Sequence, residues 1–172
     1  MSKNERGFSI AELMTVMTII GVLAGIAIPT LLKYVKRTKT SEAAMNVRKL
    51  FDGSTTYFAT EYSTPDGSMS LAAFPASTPA KPTCCVGSTR TVLNDWDDDG
   101  ATWTALSFAI GDPFYYSYQY DSSGTENSAA FTIAAFGDLD DDGLAATFVR
   151  FVTVTAFEVR GSEGMYIAHE TE

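Results

Sequence analysis

The stretch Leu13-Met14-Thr15-Val16-Met17-Thr18-Ile19-Ile20-Gly21-Val22-Leu23-Ala24-Gly25-Ile26-Ala27-Ile28-Pro29-Thr30-Leu31-Leu32 carries no charged side chain. As a helix rising about 1.5 Å per residue, it spans the roughly 30 Å hydrocarbon core of a bilayer. No other stretch of the chain approaches that length, so the sequence predicts one membrane crossing, with everything after it on one side. Lys3 and Arg6 precede the run and Lys33, Lys36, Arg37 and Lys39 follow it, so the bias of basic residues does not settle the orientation. A short basic start, an apolar core and the small residues Gly25 and Ala27 also fit a cleaved secretory leader. Against that, helical periodicity continues well past Pro29, which makes the apolar segment part of the mature architecture.

Working outward, Leu31, Val35, Ala43, Val47, Leu50, Phe51, Tyr57 and Phe58 recur at helical spacing and predict an amphipathic helix to about Tyr62. Residues 63–90 are rich in Ser, Thr, Pro, Gly and Ala and read as surface loop. Phe114, Tyr116, Tyr118 and Tyr120 alternate with Tyr115, Ser117 and Gln119, the period of a strand with one aromatic face turned to the helix. Phe131–Phe136 and Phe148–Val159 read as further strands, joined by turns around Ser123-Gly124 and Asp142-Gly143. The expected class is α+β: a long N-terminal α-helix packed on a C-terminal antiparallel β-sheet of three or four strands.

A chain of 172 residues with 45% hydrophobic and 19% charged residues has room for one domain and an appendage. That composition excludes a collagen, a wholly disordered chain and a polytopic membrane protein. Charge is divided unevenly. Residues 1–50 hold eight Lys and Arg against three Asp and Glu, whereas residues 51–172 hold four against eighteen, and the total is −9. Nucleic-acid affinity rests on cationic side chains releasing counterions, so no direct nucleic-acid partner is expected for the acidic part.

Gly7-Phe8-Ser9-Ile10-Ala11-Glu12-Leu13-Met14, with a short charged leader before it and an apolar helix after it, resembles the class III signal of type IV pilins and pseudopilins. Trp103-Thr104-Ala105-Leu106-Ser107-Phe108, Asp112-Pro113, Tyr116-Ser117-Tyr118 and Gly137-Asp138-Leu139-Asp140-Asp141-Asp142-Gly143 resemble myxobacterial-type pilins over roughly residues 100–150. The chain departs from the usual signal at Ala11, where a large aliphatic is common, and in its two acidic Asp-Gly loops. The resemblance implies a structural subunit of a type IV pilus, not an enzyme. A prepilin peptidase would cut after Gly7 and methylate the new N-terminus of Phe8. The inner-membrane pilus assembly machinery would then move the single-pass subunit from the membrane into an extracellular filament of identical subunits. The same resemblance admits a type II secretion pseudopilin or a minor pilin. The implied segments are 1–7 as leader, 8–32 as membrane and filament-core helix, 33–62 as amphipathic helix, 63–112 as loop-rich connection and 113–172 as sheet and tail. A reading of another class is a monomeric, membrane-anchored calcium-binding or hydrolytic ectodomain.

Glu12 is the residue the assembly reading depends on. A carboxylate in an apolar membrane helix costs about 2.5–3.5 kcal/mol on insertion scales and needs a partner or a route to the headgroups. Lying only about 6 Å along the helix from Phe8, it reaches the interface in a monomer. Among helices packed away from water it needs a cation, and the amine freed on a neighbour's Phe8 would supply one. Gly21, Gly25 and Pro29 weaken the helix, since Gly costs about 1 kcal/mol and Pro removes a hydrogen bond. They mark either a local break in the filament, a close-packing face or a simple kink. Lys33, Lys36 and Arg37 share a face, either anchoring the membrane end or meeting acidic groups of neighbouring subunits.

Asp95, Asp97 and Asp99 with Gly100, and Asp138, Asp140 and Asp142 with Gly143, have the spacing of calcium loops, but the twelfth positions are Leu106 and Val149 rather than Glu. Each cluster is either a calcium site or an Asp-Gly turn; no cofactor is otherwise required. Cys84 and Cys85 are adjacent, and a bridge between neighbours is strained. Oxidation, a bridge between chains and a buried reduced pair all remain open. The one histidine, His169, lies in the C-terminal tail, and no nucleophile, zinc or phosphate-loop motif accompanies it.

Overall fold

The computed structural model describes residues 7–60, 71–78, 85, 100–156, 158–162 and 164–170. The chain divides into two units, Met1–Val35 and Lys36–Glu172, and one helix, α1 (Ile10–Ala59), runs through both. In the first unit every described residue is exposed except Ala24, which is half-buried. The helix continues through Gly21, Gly25 and Pro29, and a Cβ built at either glycine has open space around it. The single chain is thus helical where the sequence suggests a weak point, and neither glycine serves packing inside this unit.

In the second unit, Thr40, Ala43, Asn46, Val47, Leu50, Ser54 and Phe58 of α1 are buried. Their spacing of three or four residues puts them on one face. The helix stops at Ala59, three residues short of the expected end, and Tyr62 lies outside the described residues. A five-residue helix, α2 (Ala101–Ala105), stands where the sequence reads as connecting loop.

The sheet has five strands rather than three or four: β1 (Ser117–Ser123), β2 (Ala130–Gly137), β3 (Ala146–Thr155), β4 (Glu158–Gly161) and β5 (Tyr166–Ala168). All pairings are antiparallel, with β1 on β2, β2 on β3, and both β4 and β5 on β3. β4 covers Val152–Thr155 and β5 covers Thr147–Val149, so one edge of the sheet is made of two short pieces. The strand expected over Phe148–Val159 is broken at Ala156, whose φ of 54° turns the chain in the left-handed region. Along the other edge, the Thr78 N–H donates to the Tyr120 carbonyl (2.7 Å), the Tyr120 N–H donates to Thr78 Oγ1 (2.9 Å), and the Ser122 N–H donates to Ser77 Oγ (2.9 Å).

Alternate residues of the three long strands form one core with α1. Tyr116, Tyr118 and Tyr120, then Phe131, Ile133 and Ala135, then Phe148, Val152 and Val154 are buried in one cluster with Ala43, Val47 and Leu50. The aromatic face expected on β1 is therefore turned to the helix. Phe131 is the hub of its rings: its centroid lies 4.5 Å from Phe74, 5.5 Å from Tyr120 and 6.3 Å from Phe51. Asn46 Nδ2 donates to the Tyr118 hydroxyl (2.8 Å), satisfying both groups in the interior. Gly53 permits a close approach to the helix, because a Cβ there would stand 2.3 Å from the Leu106 carbonyl oxygen.

Tyr116 is fully buried, and its hydroxyl has no hydrogen-bond partner among the described residues. Burial pushes its phenol far up, with Glu42 and Glu170 adding to the same direction. A buried unpaired hydroxyl costs about 1–3 kcal/mol. Tyr116→Phe is therefore expected to stabilise the protein by about 1 kcal/mol. A melting curve of the full-length chain in detergent checks this, and an unchanged or lower midpoint refutes it.

Candidate functional site

Gly7, Phe8 and Ser9 are non-helical and exposed, and α1 begins at Ile10. Ser9 caps that start. Its carbonyl accepts from the Leu13 N–H (3.2 Å), its hydroxyl accepts from the Glu12 N–H (3.3 Å), and its own N–H donates to Glu12 Oε2 (2.9 Å). This reciprocal pair is a capping box, which satisfies donors left free at a helix N-terminus. Glu12, which looks solitary in the sequence, thus has a partner in its own chain. Ser9 is the residue the sequence reading passes over, although the spacing Ser-x-x-Glu before an apolar run is its signature.

The span itself suits lipid. The hydroxyls of Thr15, Thr18 and Thr30 donate to the carbonyls of Ala11, Met14 and Ile26, one turn back, so none needs water. The helix is long and apolar enough to cross a membrane, and the apolar window is unburied within the chain.

Of the three basic residues expected to share a face after the span, Lys36 is engaged by its own chain rather than left to membrane or neighbours: its Nζ lies 2.5 Å from Asp140 Oδ2. Lys33 and Arg37 are exposed. Nearby, Lys39 Nζ sits 4.5 Å from the centre of the Tyr115 ring, and Glu42 Oε1 accepts from the Tyr115 N–H (2.9 Å).

Asp138, Asp140 and Asp142 do converge, each offering a carboxylate oxygen within 4.8 Å of the others. Their hydrogen bonds explain much of the loop without any further group. Asp138 Oδ1 accepts from the N–H groups of Asp141 (2.7 Å) and Asp140 (3.3 Å), and its Oδ2 accepts from Gly143 (2.9 Å). Asp142 Oδ1 accepts from the Leu144 N–H (2.8 Å). The other acidic cluster, Asp95, Asp97 and Asp99, lies outside the described residues, as does Cys84. Cys85 is buried and disulfide-bonded, and its carbonyl accepts from the Asp138 N–H (3.0 Å). His169 follows directly on β5, where the C-terminal tail is paired with β3 up to Ala168.

Burial raises the Asp138 carboxyl, but backbone donors from Gly143, Asp141, Asp140 and Asp142 outweigh it and hold the group below the usual aspartate range. A depressed folded pKa contributes stability that is complete above the unfolded value and lost as pH falls through the folded one. The thermal midpoint of the full-length chain should therefore hold steady down to about pH 4, near the ordinary aspartate value, and decline below it. Asp138→Asn should flatten that acid limb; an unchanged acid limb in the variant refutes the assignment.

A family profile described as "Prokaryotic N-terminal methylation motif" matches residues 2–28, which take in the capped helix start and most of the apolar run. The N-terminal segment is therefore similar to that family over these residues. The chain is also similar to the type IV major pilin protein PilA of Myxococcus xanthus, 46% identical over 54 residues, 31% of this chain and 24% of that protein. It is 46% identical over 48 residues to a fimbrial protein of Pseudomonas aeruginosa, 28% of this chain and 31% of the relative. It is 32% identical over 77 residues to the type IV major pilin protein PilE1 of Neisseria gonorrhoeae, 45% of this chain and 36% of the relative. The chain thus spans between about a quarter and just over a third of the length of these relatives. No solved structure matches it. The matched residues include those singled out at the N-terminus, Gly7, Phe8 and Glu12, the last in the first turn of α1.

Proposed function

We propose that this chain is a structural subunit of a type IV pilus, processed after Gly7, N-methylated on Phe8 and assembled through α1. The observation that carries the proposal is an unburied apolar helix beginning three residues after Gly7, with one carboxylate in its first turn and a methylation motif over the same residues. An apolar surface of that length is stable in a bilayer or against copies of itself, and not in water. The subunit waits in the inner membrane as a single-pass protein and leaves it for an extracellular filament. Its partners are a prepilin peptidase, the membrane assembly machinery and its own copies.

Within the filament, Glu12 exchanges the Ser9 N–H for the amine of a neighbour's Phe8, and the stretch from Gly21 to Pro29 is where the helix yields. The role is structural rather than catalytic. N-terminal mass spectrometry of sheared filaments and of the cell envelope tests the reading. The expected product begins at methylated Phe8 and keeps 165 of the 172 residues. A chain retaining Met1 refutes it, and a processed chain confined to the envelope assigns it to a secretion pseudopilin or minor pilin instead.

A further inference from the structure

The loop between β2 and β3 places Asp138, Asp140, Asp141 and Asp142 within five residues, and like charges so close repel unless a cation answers them. The backbone answers for Asp138, through three N–H donors, and for Asp142, through one. Asp140 is answered by Lys36 of α1, 104 residues away in sequence, at 2.5 Å. Both side chains of that pair are about one-third exposed, at 30% and 34%. The contact is therefore screened less than a fully exposed one, and Lys36 is partly withdrawn from competing water. Among the described residues, Lys36 is the cationic side chain that touches this loop.

We propose that Lys36 is the resident counter-cation of the Asp138–Asp142 loop, tethering the β2–β3 turn to α1 and holding the carboxylates together without a bound divalent ion. An ammonium fixed on a helix does there what a hard cation does in a calcium loop: it offsets the carboxylate charge and fixes the turn, but from a single oxygen instead of six to eight. The two compete at Asp140, because Lys36 engages Oδ2 and its positive charge opposes a second cation on the same carboxylate. The inference rests on contacts inside the second unit and does not depend on the pilus reading.

Hydrogen exchange of the full-length chain in detergent micelles tests it, reading the amides of Asp140, Asp141 and Gly143, with and without millimolar calcium. Lys36→Met keeps the length of the side chain and removes its charge; Lys36→Arg keeps the charge. Lys36→Met should speed exchange of these amides roughly two- to five-fold, the range an exposed-to-half-buried ion pair carries, while Lys36→Arg stays near wild type. Calcium should leave the wild-type rates unchanged and restore protection in Lys36→Met. Asp140→Asn should loosen the loop as much as Lys36→Met, with the double variant no looser than either. Amides of Ile133 and Phe148 serve as the control, and should Lys36→Met perturb them, Asp140→Asn alone decides. Calcium slowing exchange in the wild type to a similar extent, or wild-type rates in both single variants, overturns the proposal.

Discussion

Glu12→Ala is expected to insert into the membrane and lose its leader normally, yet to give filaments at about a tenth of the wild-type yield or less. In the filament core of the proposed assembly the amine of Phe8 would then face no anion, and an unpaired buried charge costs on the order of 3–5 kcal/mol, worth more than a hundredfold in an equilibrium. The intact pair adds little net stability, since desolvation of both charges offsets their attraction; its value lies in penalising any register that separates them. The capping box sharpens the experiment. Glu12 also accepts from the Ser9 N–H, so alanine disturbs the helix start as well as the charge. Glu12→Gln retains an acceptor oxygen at the same position and removes only the charge. Equal loss with Ala and Gln, measured as pilin in sheared surface material against total pilin, supports the ion pair. Normal yield with Gln would leave capping as the whole role of the residue.

The second large effect lies in the other unit. Phe131 is buried and touches rings from three separate parts of the chain: Phe51 on α1, Phe74 in the segment 71–78, and Tyr120 on β1. Phe131→Ala should destabilise the protein by about 3–5 kcal/mol, combining the lost transfer energy with a cavity that three differently anchored rings cannot close. A domain has only about 5–15 kcal/mol to lose. The variant should therefore still be processed at its N-terminus but melt well below wild type and accumulate poorly. Thermal unfolding in detergent by tyrosine fluorescence or circular dichroism checks this; a midpoint close to wild type would show that Phe131 is not the hub.

The long helix was legible because twenty uncharged residues and the stripe from Leu31 to Phe58 leave few other structures open. The first three strands were legible from alternation, most plainly in Tyr116, Tyr118 and Tyr120. The break at Ala156 was not, since a left-handed residue is usually announced by Gly or Asn and alanine gives no such sign. α2 starts after Gly100 with no side-chain cap, and β5 is three residues long, too short for any period to appear. At the site, Gly7, Phe8 and Glu12 stand in a local motif, and the capping function of Ser9 is equally local, written in the spacing Ser-x-x-Glu. The pairing of Lys36 with Asp140 joins residues 104 positions apart, and no local rule links them.

The two margins of the sheet have a consequence for crowding. A subunit built to associate through one greasy rod is packed at high local density, where bare strands would tempt neighbours to zip together side by side. Here β1 is already bonded by residues 77 and 78, and the far margin is divided into pieces of four and three residues. Short, discontinuous margins make poor templates for a further strand. Strand-to-strand stacking of the sheet is thereby disfavoured.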